Sequence, residues 1–398
     1  MAKLPLEGIR VLDFTRYASG PICSQIMGDM GAEIWKIEAP GVGDVGRTGT
    51  PFKNGEAAYF HSYNRSKKSI TLDTRTPEAQ EIIKKMIPMC DVFLDNSAPG
   101  FMDKIGFGYE SVRELNPKMI YTAITGFGIM GDSPYKKQAA MDPVIQARSG
   151  LMAHTGFPDA PVKAGPAIAD LVSGYYACIG TLTALYERTI SGEGQLVDVA
   201  MMDAMFASLD SIVVGYGFSG KVPPRMGNRV TMLGATGSYP TKDGKAVMIT
   251  CASDKLAYTF AKCAGQDWML EDPRFQGNAA RSQNQDWIDE QLVPWTKTKT
   301  REELVEIMQA NGVPCCVIND IGDNWNDPHF KARDMLVTLP HPVAGEITMA
   351  GQPIKLSRTP AQLKTAGPVL GANNEEILTG VMGISAEELA ALKEKGVI

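Results

Sequence analysis

An α/β fold with a large parallel sheet and a second, smaller α+β domain is what this 398-residue sequence predicts, on three observations. Short apolar runs alternate with helical patterns through about residue 200, glycine and proline become frequent between 215 and 237, and a new mixture of strand and helix signals follows. Alternation of the first kind produces parallel strands joined by crossover helices. The large domain is therefore assigned to 1–215, the small domain to 225–330, and 331–398 to a return segment that completes the large one.

The opening is β-α-β. Ile9 to Phe14 reads as a strand, Ile22, Ile26, Met27 and Met30 give the next helix its apolar side, and Glu33 to Glu38 is a second strand. The turn from Thr15 to Gly20 holds one glycine and no GxGxxG, which argues against a nicotinamide or flavin site. Arg16 in that turn is placed either to meet an anion or to be solvated. Arg65, Lys67 and Lys68 lead into another short strand, and a helix begins near Thr76-Pro77-Glu78 with Ala79, Ile82, Ile83 and Met86 on one side. The strand Asp91 to Asp95 is followed by Asn96 to Gly100, where open α/β sheets bind ligands, with Lys104 close behind. After the strand Met119 to Ile124 comes the basic pair Lys136-Lys137.

The segment Gly165 to Gly174 places the carboxylate of Asp170 at the start of a long apolar pattern through Leu171, Val172, Tyr175, Ile179, Leu182 and Leu185, which Gly192 and Gly194 stop. Two readings compete: an acid favoured in a first helical turn by the dipole, or a reacting group. Gln195 to Ala200 is a further strand. Asp243-Gly244 marks a hairpin turn before the strand Ala246 to Thr250, helical patterns cover 255–263, 286–295 and 300–310, and two closing helices span 375–382 and 386–395.

A composition with 44% hydrophobic and 21% charged residues is that of a soluble globular protein, and the net charge of -6 opposes a general nucleic-acid or membrane surface while leaving room for a local basic pocket. The seven cysteines form no CxxC pair, and His61, His154, His329 and His341 show no metal-ligand spacing, so no metal is expected. With no signal-like start and no uninterrupted apolar run of membrane-spanning length, the expected location is cytoplasmic.

The order and spacing of several stretches resemble the class III CoA-transferases, the CaiB/BaiF family, over the whole chain. These are Leu6 to Asp13, Gly31 to Glu38, Gly43-Asp44, Lys68 to Asp73, Ala169-Asp170, Gly192 to Met201, Asp327-Pro328 and Leu370 to Asn374. The resemblance implies a Rossmann-like large domain, an interlocked homodimer, and Asp170 as the nucleophile. A carboxylate attacks a thioester, the released CoA thiolate attacks the resulting anhydride, and an aspartyl-CoA thioester remains for an incoming acid. The implied substrates are an acyl-CoA and a small carboxylic acid, with no permanently bound cofactor.

By the same resemblance Arg16, Ser19, Leu72, Arg75, Asn96, Lys104 and Lys137 contact CoA, and the loop holding Gly234 and Gly237 approaches the substrate, where backbone N–H groups stabilise oxyanions. Ala18 and Ala39 depart from the glutamine and arginine of oxalate-specific members, which turns the expectation away from oxalate and leaves the CoA reaction. An α-methylacyl-CoA racemase shares the fold, but racemases carry Gly-His-Asp where this chain has Ala140-Met141-Asp142, so the histidine of the acid/base pair is missing. A noncatalytic acyl-CoA-binding protein is the alternative from another class.

Overall fold

The computed structural model describes residues 3–230 and 232–398. Its first unit comprises the chain up to Leu151, Ala164–Asp210 and Pro328–Ile398. Six strands form its sheet: β1 (Arg10–Asp13), β2 (Glu33–Glu38), β3 (Lys68–Thr71), β4 (Val92–Asp95), β5 (Ile120–Thr125) and β6 (Leu196–Ala200). All neighbours are parallel, in the order β6-β5-β4-β1-β2-β3. The chain leaves β1 towards β2 on one side and later returns to β4 on the other, so a crevice opens beyond the carboxyl ends of β1 and β4.

Strand residues alternate between two cores, as a two-residue period requires. Val11, Ile34, Val92 and Ile120 join one apolar cluster; Leu12, Trp35, Phe93 and Tyr121 join the other. The first is covered by α1 (Ser19–Asp29), through Cys23 and Met27, and by Ala169, Ala177 and Leu185 of the long Asp170 helix. Between them in sequence come α2 (Ala58–Tyr63), α3 (Pro77–Met86) and α4 (Asp142–Arg148). The second cluster takes Ala79, Ile82 and Ile83 from α3, and Ile377, Leu378, Val397 and Ile398 from the return segment. The C-terminal residues thus belong to the same core as β1.

The long helix is α5 (Ile168–Ser191), ended by Gly192 at φ 79°. That conformation favours glycine and closes the helix with a bond from Gly192 N–H to the Arg188 carbonyl. It begins two residues after Pro166, with Ala167 at its N-cap and Asp170 in its first turn.

The second unit, Met152–Lys163 with Ser211–Asp327, is wider than the expected 225–330. The short strands Gly156–Phe157 and Ala160–Pro161 belong to it because the Arg225 guanidinium donates to the carbonyls of Phe157, Pro158 and Ala153, and Gly227 N–H donates to Gly156. A helix, α6 (Ile212–Ser219), also runs into the glycine- and proline-rich stretch 215–237. Strands β7 (Gly237–Pro240), β8 (Ala246–Ile249) and β9 (Cys315–Val317) form an antiparallel sheet. It packs with α7 (Asp254–Cys263), α8 (Gln285–Thr296) and α9 (Arg301–Ala310) through Val247, Ile249, Phe260, Ile288, Leu292 and Leu304.

Candidate active site

Beyond the strand ends lies a cavity of about 290 Å³. It is lined by Arg16, Tyr17 and Ser19 after β1, by Asn96 and Ser97 after β4, and by Asp170 from α5. Asp170, Arg16, Ser19 and Asn96, far apart in sequence, therefore meet at one place. Two further cavities of about 380 Å³ each adjoin it, and Ser97 lines all three. One contains Arg16, Leu72 and Arg75; the other contains Lys136 and Lys137. Together they form a long trench along the carboxyl edge of the sheet.

Close packing of α1 on α5 brings Ser19 and Asp170 to the same cavity. A Cβ at Gly174, one turn beyond Asp170, would run into the Ser19 carbonyl and Ile22, so this crossing needs glycine. Burial, and then the charge of Asp142, push the Asp170 carboxyl up to about 6. Asp142 is itself buried: its Oδ1 accepts the Ala169 N–H at 2.8 Å and its Oδ2 accepts from Gln146 Nε2 at 2.8 Å. On α2, Tyr59 and Tyr63 lie one turn apart with ring centroids separated by 5.2 Å; burial and neighbouring groups that include Asp170 push both phenols up. Sequence reasoning singled out neither tyrosine, although their i, i+4 spacing puts them on one helical face.

The remaining sequence-predicted residues divide. Leu72 is buried, and Arg75 reaches solvent while forming a two-pronged pair with Asp73 at 2.8 and 2.9 Å. Lys104 lines none of the three cavities; Phe101, Met102 and Asp103 of its short helix do, and Met102 also joins the apolar core. Asn96 is occupied by the protein itself: its amide accepts from Arg16 N–H at 2.9 Å and donates to the Arg16 carbonyl at 2.7 Å and Ser19 Oγ at 3.2 Å. Gly234 and Gly237 belong to the second unit. Gly234 N–H donates to Asn278 Oδ1 at 3.1 Å, and a Cβ at Gly234 would run into Arg281, so this glycine is packed inside its own unit.

Glu56, His61 and His341 are gathered with potential ligand atoms within 4.8 Å of one another, a juxtaposition their sequence separation hides. His341 Nδ1 accepts the N–H groups of Val343 and Ala344 at 3.2 and 3.0 Å, so the neutral ring carries its proton on Nε2. A cation would require that nitrogen's lone pair, and the cluster does not fit one.

A doubly wound sheet with a carboxylate unpaired among the described residues above its switch point, in a long trench, defines an α/β enzyme that handles an extended ligand. The chain belongs to CoA-transferase family III, whose model matches residues 6–374. It is 36% identical to the succinyl-CoA–D-citramalate CoA-transferase of Chloroflexus aurantiacus, over 99% of this chain and 98% of that one. It is 33% identical to a formyl-CoA:oxalate CoA-transferase of Bradyrhizobium diazoefficiens, over 99% and 97% respectively. A solved CAIB/BAIF family protein from Brucella suis superposes with a TM-score of 0.86 at 36% identity, covering 95% of this chain and 100% of that one.

Proposed function

We propose that this protein moves CoA from an acyl-CoA thioester to a carboxylic acid, with Asp170 as the covalent nucleophile. The observation that carries the reading is the Asp170 carboxylate, which lines the trench without an ion-pair or hydrogen-bond partner among the described residues and is held near a pKa of about 6. Such a carboxylate is ionised at neutral pH and poorly solvated, two conditions that favour attack on a thioester carbonyl. An Asp170 oxygen bonds to that carbon, the C–S bond breaks, and CoA leaves as the thiolate. The thiolate then attacks the aspartyl carbonyl of the anhydride, the donor acid departs as its carboxylate, and aspartyl-CoA remains. The acceptor acid runs these two steps in reverse. Arg16 and Lys137 supply positive charge along the trench for the CoA phosphates.

Succinyl-CoA is the first donor to test, because relatives that are 36%, 34% and 35% identical bear succinyl-CoA or succinate in their names. The working form is a homodimer in the cytosol. Tyr175, Ile179, Tyr186 and Ile190 leave an apolar stripe exposed along α5, and a second copy is the occupant proposed for it. Mass spectrometry of the peptide containing Asp170, after incubation with donor alone, tests the chemistry. Addition of CoA to Asp170 supports it; a donor turned over without any adduct, in a protein that Asp170→Asn leaves active, overturns it.

A further inference from the structure

Every backbone polar group from Thr15 N–H to Tyr17 N–H is held by a side chain. Thr15 N–H donates to Asp13 Oδ1 at 2.9 Å, and the Thr15 carbonyl accepts from Lys36 Nζ at 2.7 Å. Asn96 takes both the N–H and the carbonyl of Arg16. Tyr17 N–H donates to Asp44 Oδ1 at 3.1 Å. Lys36 and Asp44 are joined at 2.9 Å, with both side chains wholly out of solvent. Asp44 Oδ1 also accepts Gly46 N–H at 2.8 Å, which ties the loop after β2 to the turn after β1. Tyr17 has φ 65°, a left-handed conformation that is unfavourable for a residue with a side chain and persists only under such constraint.

We propose that the buried Lys36–Asp44 pair is a positioning device for the CoA-transfer site. It fixes the Thr15–Tyr17 turn so that Arg16 and Tyr17 stand in the wall of the Asp170 cavity. This rests on the transfer reading above for its kinetic consequence, but not for its structural one. A buried ion pair is poor evidence for stability, since desolvation offsets much of the attraction, and fixing geometry is the better-attested use of one. The turn is also the place where geometry matters here, because Arg16 borders both the Asp170 cavity and the cavity that holds Arg75.

Asp44→Asn keeps an acceptor for the Tyr17 and Gly46 N–H groups but turns an amide towards Lys36. In the full-length variant, hydrogen exchange in a peptide spanning residues 14–18 should quicken about tenfold, with KM for the acyl-CoA rising about tenfold and kcat changing less than about threefold. Exchange and KM both within twofold of the parent would overturn the proposal. Lys36→Met/Asp44→Asn guards against a folding defect, because it removes both buried charges while leaving the Thr15 carbonyl without its donor. Its Tm should recover relative to Lys36→Met while its KM stays high. Recovery of KM together with Tm would show a merely structural pair and also overturn the proposal. Asp170→Asn, assayed alongside, should lose turnover with unchanged exchange at 14–18; full activity there would sink the transfer reading and leave the exchange result to judge the clamp.

Discussion

The buried carboxylate of Asp142 accepts the N–H of Ala169 at 2.8 Å, immediately before Asp170 in the first turn of α5. One acid therefore anchors the helix start that carries the other, and its charge adds to burial in raising the Asp170 pKa. Asp142→Asn retains an oxygen for Ala169 while removing the charge. The acid limb of kcat/KM should move down by about half a pH unit to one unit, a partial shift because burial is the larger cause. The Gln146 amide would face an amide in place of a carboxylate oxygen, at a cost of about 1 kcal/mol in denaturant unfolding. An unmoved acid limb would separate Asp142 from the titration of Asp170.

Asp170 itself sets both a rate and a stability profile. With its carboxyl at about 6, turnover of the parent should fall about tenfold per pH unit below that value, as the reactive anion is protonated. For stability the sign is opposite. A folded pKa raised from 3.8 to about 6 means that the favourable protonated contribution is complete below the unfolded value and is lost as pH rises through 6. At about 1.4 kcal/mol per tenfold change in proton affinity, removing the charge is worth on the order of 3 kcal/mol at most. Asp170→Asn should therefore melt higher than the parent at pH 7.5, with the gain gone by pH 4. A melting difference that does not vary with pH would contradict the desolvated carboxylate.

Gly174→Ala puts a methyl group against the Ser19 carbonyl and Ile22, at the crossing that brings Ser19 beside Asp170. Overpacking of this kind costs about 1–3 kcal/mol, and the shift of α1 should lower kcat as well. Gly192→Ala is the matched control, since its φ of 79° burdens the helix end but nothing lies within 4 Å of its Cβ. That change should cost about 1 kcal/mol and leave kcat unaltered. Equal kinetics for the two variants would show that the α1–α5 spacing does not govern the site.

Among the cations, Arg16 and Lys137 line the trench and Lys104 does not. Alanine at Arg16 or Lys137 should raise KM for the CoA thioester about tenfold, equivalent to about 1.4 kcal/mol, whereas Lys104→Ala should stay within about twofold. A large Lys104 effect would place the CoA phosphates outside the trench.

The sheet and the α5 helix are legible because each announces itself locally, whereas the local pattern leaves Asp170 as either a first-turn acid or a reacting group, and it is the family resemblance that selects the second. The apolar runs of β1, β2, β4, β5 and β6 are bounded by turns, and the three-and-four spacing of α5 continues to a terminating glycine. The supports of the site were not legible, because each is a long-range pairing of ordinary residues. Asp142 reaches Ala169 across 27 positions, Asn96 reaches Arg16 across 80, and Lys36 meets Asp44 through the fold of a loop. No periodicity encodes such contacts. At the start of 215–237 the glycines hide a helix for a local reason: Gly215 and Gly217 lower helix propensity, while Ile212, Val213, Val214 and Tyr216 around them sustain α6.

The same geometry separates transfer from racemisation. Moving a proton off and onto the α-carbon requires an acid/base group on each face. Ala140 and Met141 line the Asp170 cavity from the side where the racemases carry histidine, and neither can exchange a proton. Asp142, the remaining carboxylate there, has its oxygens engaged by Ala169 N–H and Gln146. In the proposed transfer, attack by Asp170 on the thioester carbonyl leaves the α-carbon untouched. Incubation with a 2-methylacyl-CoA in deuterated water should thus give no α-deuterium by mass spectrometry, while an added acceptor acid should yield a new CoA thioester. Met141→His would restore the missing group, and slow deuterium incorporation in that variant, abolished by Asp170→Asn, is the expected sign that one missing side chain separates the two chemistries. Rapid deuteration by the parent chain, without acyl exchange, would reverse the assignment.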